Sequence, residues 1–233
     1  MGWLTPEESA IILLSLQVSA VAMAAALPLA FALAWLLARV QFPGKILLDA
    51  LVHLPLVLPP VVTGWLLLIV FGRTGPAGQL LEEWLGISLI FRWTGAALAA
   101  AVMALPLMVR AIRLSLANVD PRLEGVARTL GAGPWRTFFS VTLPLSLPGV
   151  IAALVLGLAR SLGEFGATIT FVSNIPGETR TLPLAIYTAL QVPGGEGAVT
   201  RLALISVALS LVALALSEWL ARRSGRKDTG HVI

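Results

Sequence analysis

The chain has 233 residues, 58% of them apolar and 12% charged, with a formal net charge of +4 and a mean hydropathy of +0.91. Typical soluble domains carry about 25% charged residues, so this composition suits a bilayer and argues against a water-soluble globule. The lack of cysteine excludes disulfides and thiolate metal sites, and two histidines, His53 and His231, cannot build a zinc centre unaided.

The amino-terminus, Met1-Gly-Trp-Leu-Thr-Pro-Glu-Glu8, is acidic and has neither the positive start nor the cleavage signal of a secretory leader. The first apolar stretch is therefore read as a retained span. A crossing needs about 20 mostly apolar residues, and five segments qualify: 10–37, 46–71, 94–117, 138–159 and 202–220. The first is longer than a bilayer requires and is expected to tilt or to wrap a neighbour. Small residues recur in the spans, in Ala22-Met-Ala-Ala-Ala26, Ala30-Phe-Ala-Leu-Ala34 and Gly95-Ala-Ala-Leu-Ala-Ala-Ala101, either as close-packing positions or as generic filler.

Pro55, Pro59 and Pro60 interrupt the second segment, predicting a kink whose freed carbonyls line a path or merely serve packing. Asp49 and His53, four residues apart near its start, are read as a local hydrogen-bonded pair. Thr63 here, and Thr168, Thr170 and Ser173 later, offer hydroxyls to a passing anion or bond their own helix.

A polar interruption follows the third segment, at 120–137. Asp120 suits an N-cap, Pro121 the first helical position, and Glu124 gives a capping-box-like spacing. Leu123, Val126, Ala127 and Leu130 recur on one helical face, Gly131 supplies a left-handed stop, and Gly133-Pro134 restarts the chain into the fourth segment. A short surface helix is predicted.

Region 160–200 is expected to be external, with short or re-entrant helices; a sixth span is the alternative, though it would turn the carboxy-terminal arginines outward. Arg160 and Glu164 are four residues apart, flanked by Gly163 and Gly166, which permit a break. They are read either as an external gate near the bundle's surface or as an interfacial arginine that snorkels. With the 120–137 loop inside, eleven of the sixteen basic residues share its side: Arg39, Lys45, Arg110, Arg113, Arg122, Arg128, Arg136, Arg222, Arg223, Arg226 and Lys227. The positive-inside rule then sets the amino-terminus outside and the carboxy-terminus in the cytoplasm. These basic residues alternate with spans instead of forming one polar face, so nucleic acid is not an expected partner.

The 120–144 segment resembles the coupling motif of ABC importer permeases, E-A-A, three residues, G, nine residues, I-x-L-P. Gly131 anchors it, Ala127 matches its third position, and Val141-Thr-Leu143-Pro144 matches its end. Gly125 and Val126 depart from its leading Glu-Ala, with Glu124 one place early. Phe42-Pro-Gly-Lys45, Leu54-Pro-Leu-Val-Leu-Pro-Pro-Val-Val-Thr-Gly64, Ala159-Arg-Ser-Leu-Gly-Glu-Phe-Gly-Ala-Thr-Ile169 and Ser173-Asn-Ile-Pro-Gly-Glu-Thr-Arg-Thr-Leu182 are similar to permease subunits of molybdate ABC importers, and the similarity covers essentially the whole chain.

The resemblance implies one all-α integral membrane permease domain over residues 1–233, of about five transmembrane helices with a short cytoplasmic coupling helix. It further implies a multi-pass subunit of the bacterial inner membrane, working as a homodimer with two cytoplasmic ATPase subunits and a periplasmic binding protein. Its importer would move an oxyanion by alternating access: molybdate, or else sulfate, tungstate or another anion. No cofactor, metal or catalytic residue is implied. Glu124, Ala127, Leu130, Gly131, Leu143 and Pro144 would couple to the ATPase, and Arg160, Gly163, Glu164, Gly166, Thr168, Pro59 and Pro60 are gate or pathway candidates. The chain has no phosphate-binding loop, since Gly44-Lys45 runs into Ile46 without the upstream glycine. An ion-coupled secondary transporter is the other class, and it would have no use for a protruding cytoplasmic helix.

Overall fold

The computed structural model describes residues 4–225; Arg226, Lys227, His231 and Met1–Trp3 lie outside the described residues. Those residues form helices and loops with no strand. In order they are α1 (Pro6–Arg39), α2 (Lys45–Val57), α3 (Pro60–Phe71), α4 (Pro76–Leu85), α5 (Trp93–Ala117), α6 (Pro121–Thr129), α7 (Pro134–Thr137), a π-helical turn (Phe138–Thr142), α8 (Leu143–Leu162), α9 (Gly166–Val172), α10 (Leu182–Leu190) and α11 (Glu196–Gly225).

Four stretches are single helices long and apolar enough to cross a bilayer: Pro6–Arg39, Trp93–Ala117, Pro134–Leu162 and Glu196–Ala215. The second expected span is different. It is two helices, α2 and α3, bent by 118° at Leu58-Pro59, a sharper break than the predicted kink. Leu58 (ψ 144°) and Pro59 (ψ 135°) are extended, because a residue before proline is pushed out of the helical region and each proline removes a donor. The fourth span starts earlier than residue 138 and passes through the π-turn, so α7 belongs to it and not to the loop before it.

Helix α5 is the axis of the bundle: 61% of its most apolar window is buried, against 11% for α11. On α1, Ala22, Ala26, Ala30 and Ala34 lie 0–4% exposed in the same core as Ala96, Ala99, Ala100 and Ala104 of α5. The alanines are packing positions. Lipid tails are as apolar as leucine, so close backbone approach and dispersion, not water exclusion, hold such helices together.

Polar pairs fasten the periphery. Thr5 and Glu8 form a reciprocal capping box at the start of α1, and Glu8 Oε1 also accepts from Arg201 Nε of α11 at 2.9 Å. Arg180 lies 3.5 Å from Glu7, and Ser15 Oγ accepts from the Leu182 amide at 2.7 Å. The loop before α10 thus reaches two turns below the Glu8 end of α1, and the nine residues of α10 climb back toward α11. Neither α9 nor α10 is long enough to be a crossing.

Candidate functional sites at the coupling helix and the paired helix breaks

Asp120 caps α6 by accepting from the Arg122 amide at 2.9 Å, with Pro121 at the first helical position. The helix stops in a Schellman arrangement: the Gly131 amide donates to Arg128 O and the Ala132 amide to Ala127 O, both at 3.0 Å. Gly131 has φ +87°, the left-handed conformation in which a Cβ would be strained.

Glu124, at the fourth helical position, does not turn back to the cap as the capping-box-like spacing suggests. Its Oε1 accepts from Arg39 at 3.1 Å and from Thr142 Oγ1 at 2.8 Å, joining α6 to the end of α1 and to the π-turn. The two halves of the motif therefore meet, since Thr142 immediately precedes Leu143 and Pro144. Above this anchor α6 has no buried residue, and Leu123, Val126 and Leu130 are 48%, 56% and 83% exposed. Ala127 is half-buried. A short helix is held rigidly from below and presents an apolar face outward.

About 30 Å away along α1, by the helical rise over twenty residues, lies the second site. There Ser161 Oγ donates to Ser19 Oγ at 3.0 Å, and α8 ends at Leu162. Arg160 pairs with Glu164 at 2.7 Å, and the Glu164 side chain is only 2% exposed. Its other oxygen accepts from the Ala167 amide at 2.8 Å and so caps α9. The Arg160 side chain is 26% exposed and its guanidinium turns to Glu164. The pair also lies deeper than the bundle's rim: Ser19 is about 20 Å from the start of α1 at 1.5 Å per residue.

The break between α8 and α9 sits against the break between α2 and α3. A Cβ on Gly166 would come 2.7 Å from Pro60 Cβ, and one on Gly64 would come 2.6 Å from Ala167 O and 2.8 Å from Thr170 Cβ. Gly163, by contrast, has nothing closer than 3.7 Å. Of the hydroxyls, Thr170 bonds its own helix at Gly166 O, while Thr63 is buried with no hydrogen-bond partner. Thr168 is buried and Pro59 exposed. Backbone irregularity at membrane depth is tolerated where it faces protein or a water-filled path, and paired half-helices are one way to build such a path. Asp49 and His53 belong to neither site. Their side chains are 3.3 Å apart, and Asp49 is held by Arg113 of α5 at 2.9 Å.

Over residues 11–226 the sequence matches the family described as binding-protein-dependent transport system inner membrane component. The chain belongs to that family. This permease is 61% identical over 227 residues to the molybdenum transport system permease protein ModB of Escherichia coli (strain K12), covering 96% of the chain and 99% of the relative. It is 38% identical over 199 residues to the sulfate transport system permease protein CysT of the same organism, covering 85% and 71%. Its fold is that of a chain in a bacterial ABC transporter involved in import of the polysaccharide alginate, with a TM-score of 0.75 and 18% identity over 95% of this chain and 81% of the other. It is an all-helical ABC importer permease, a multi-pass component of the inner membrane and not an enzyme. The motif residues were legible in the sequence; Arg39 and Thr142, which fix Glu124, were not, because nothing local marks contacts 85 and 18 residues away.

Proposed function

We propose that this permease imports an oxyanion, molybdate, as one of two identical copies working with two separate ATPase subunits and a periplasmic binding protein. The whole chain, 1–233, acts as one permease domain, with the amino-terminus outside and the carboxy-terminus in the cytoplasm. The observation that carries the coupling is the α6 platform. Its Leu123, Val126 and Leu130 face is exposed, while Glu124 ties it to α1 and to the root of α8. An ATPase cleft that grips this face moves both helices with it. Ala127 and Gly131 shape the platform, and Leu143 and Pro144 receive its movement.

That movement would reach the paired breaks about 30 Å along α1, where Gly166 packs on Pro60 and the Arg160–Glu164 pair holds the start of α9. Alternating access then amounts to closing and opening the path between two copies at Pro59, Pro60, Gly163 and Thr168. Sulfate is the second reading, supported by the 38% identical sulfate relative.

Uptake by the permease co-expressed with its own ATPase and binding protein tests the substrate. Labelled molybdate is expected to enter, with sulfate in excess a poor competitor; preferred uptake of sulfate would reverse the assignment, and preferred uptake of tungstate would shift it within the same class. Coupling is tested by Gly131→Pro, because proline cannot adopt φ +87° and loses the amide bond to Arg128 O. Transport-linked ATP hydrolysis should drop about tenfold, equivalent to about 1.4 kcal/mol in a barrier. Unchanged hydrolysis would remove α6 from the coupling path.

A further inference from the structure

Where α1 meets the start of the α7–α8 helix, an apolar groove of about 630 Å³ runs between Phe31 and Trp35 on one wall and Trp135 and Phe138 on the other. It continues into a second pocket of about 350 Å³ that shares Trp35, Pro134 and Phe138 with it but is polar, with Arg39, Arg128 and Glu124 in its wall. We infer that these joined cavities bind an anionic phospholipid, with an acyl chain along the groove and the headgroup phosphate between Arg39 and Arg128.

Charge is the first argument. Two guanidiniums face one carboxylate, and Glu124 Oε1 is already shared by Arg39 and Thr142. Among the described residues Arg128 makes no ion pair, and the Nε of Arg39 is buried without a hydrogen-bond partner. One positive charge and a buried donor are left over, which a phosphate oxygen satisfies in the forked geometry arginine favours.

Shape and depth are the second. An apolar trench with a cationic end fits an amphiphile, not a soluble anion. Its lip carries Trp35 and Trp135, 41% and 76% exposed, and tryptophan is the residue that settles at the headgroup level. Basic pockets between helices at that level are where anionic headgroups bind. The ATPase face proposed on α6 uses Leu123, Val126 and Leu130, none of which line either cavity. Bound there, the lipid would tie the end of α1 to α6.

Native mass spectrometry of the permease with its ATPase partners tests this, with dioleoyl phosphatidylglycerol, dioleoyl phosphatidylcholine and glycerol 3-phosphate as probes. Phosphatidylglycerol should be retained in preference to phosphatidylcholine, and glycerol 3-phosphate should not displace it. Arg128→Gln should weaken the phosphatidylglycerol adduct about fivefold, the effect of one basic residue near an anionic lipid, and leave phosphatidylcholine unchanged. Arg128 is exposed, so this variant keeps the packing intact. Ala32→Trp, on the wall of the groove, should weaken both lipids. Equal retention of the two lipids, an unaltered Arg128→Gln adduct, or displacement by glycerol 3-phosphate alone would each overturn the site.

Discussion

Glu124 is where three segments meet, and its position explains a departure from the family motif. A glutamate at the motif's leading position would fall at 125, one residue further round the helix; the chain has glycine there. From 124 the carboxylate turns inward to Arg39 and Thr142, at 18% side-chain exposure. Glu124→Ala removes the acceptor of both and leaves the Arg39 guanidinium half-enclosed. A hydrogen bond to a charged group contributes about 1.5–3 kcal/mol, so the thermal unfolding midpoint of the purified permease should fall markedly. An unmoved midpoint would mean that the bridge is incidental. Asp120, Pro121 and Gly131 were legible in the sequence because caps and stops are settled within four residues of chain. The partners of Glu124 were not: it stands four residues after the N-cap, one beyond the capping-box position, and its contacts to Arg39 and Thr142 are tertiary.

At the scale of helices, the two breaks depend on each other. Pro59-Pro60 frees α3 from α2, and the close contacts at Gly64 and Gly166 let α9 lie against it. The same substitution should therefore act with opposite sign at two helical glycines. At Gly64 a new Cβ meets the Ala167 carbonyl at 2.6 Å, which is backbone and cannot yield cheaply. Overpacking of this kind costs about 1–3 kcal/mol, more than the helix propensity Gly64→Ala gains, so its melting midpoint should drop. Gly125 in α6 has nothing within 4 Å of the new Cβ, and Gly125→Ala should stabilise by up to about 1 kcal/mol. A gain at Gly64 would show that α3 and α9 separate readily. The spans were legible from apolar run lengths, and the prolines predicted a kink. Its 118° angle and the π-turn at Phe138–Thr142 were not, since both follow from what the helices pack against.

Over the whole molecule, the length of α1 and the charge asymmetry bear on one question, which side each end faces. Helix α1 has 34 residues and is about 50 Å long at 1.5 Å per residue, while the hydrocarbon core is about 30 Å thick. A helix of that length reaches across the bilayer even with a strong tilt, so its two ends are expected on opposite sides. Glu124 fixes α6 to the Arg39 end, and Arg201 and Arg180 fix α11 and the loop before α10 to the Glu8 and Glu7 end. These ties were invisible in the sequence, since Arg201 lies 193 residues from Glu8 and no local pattern marks the pairing. By the positive-inside rule, the proposed coupling has the α6 end in the cytoplasm as its expectation. Because the chain has no cysteine, single replacements report on this without background from the permease itself. A membrane-impermeant maleimide applied to spheroplasts should label Leu4→Cys and Gln191→Cys at once. Leu130→Cys, at an 83% exposed position, should be labelled only after the membrane is opened. The reverse pattern would invert the topology and, with it, put α6 out of reach of a cytoplasmic ATPase. Labelling of Gln191→Cys and Leu130→Cys from the same side would instead contradict α1 as the strut that separates the two faces.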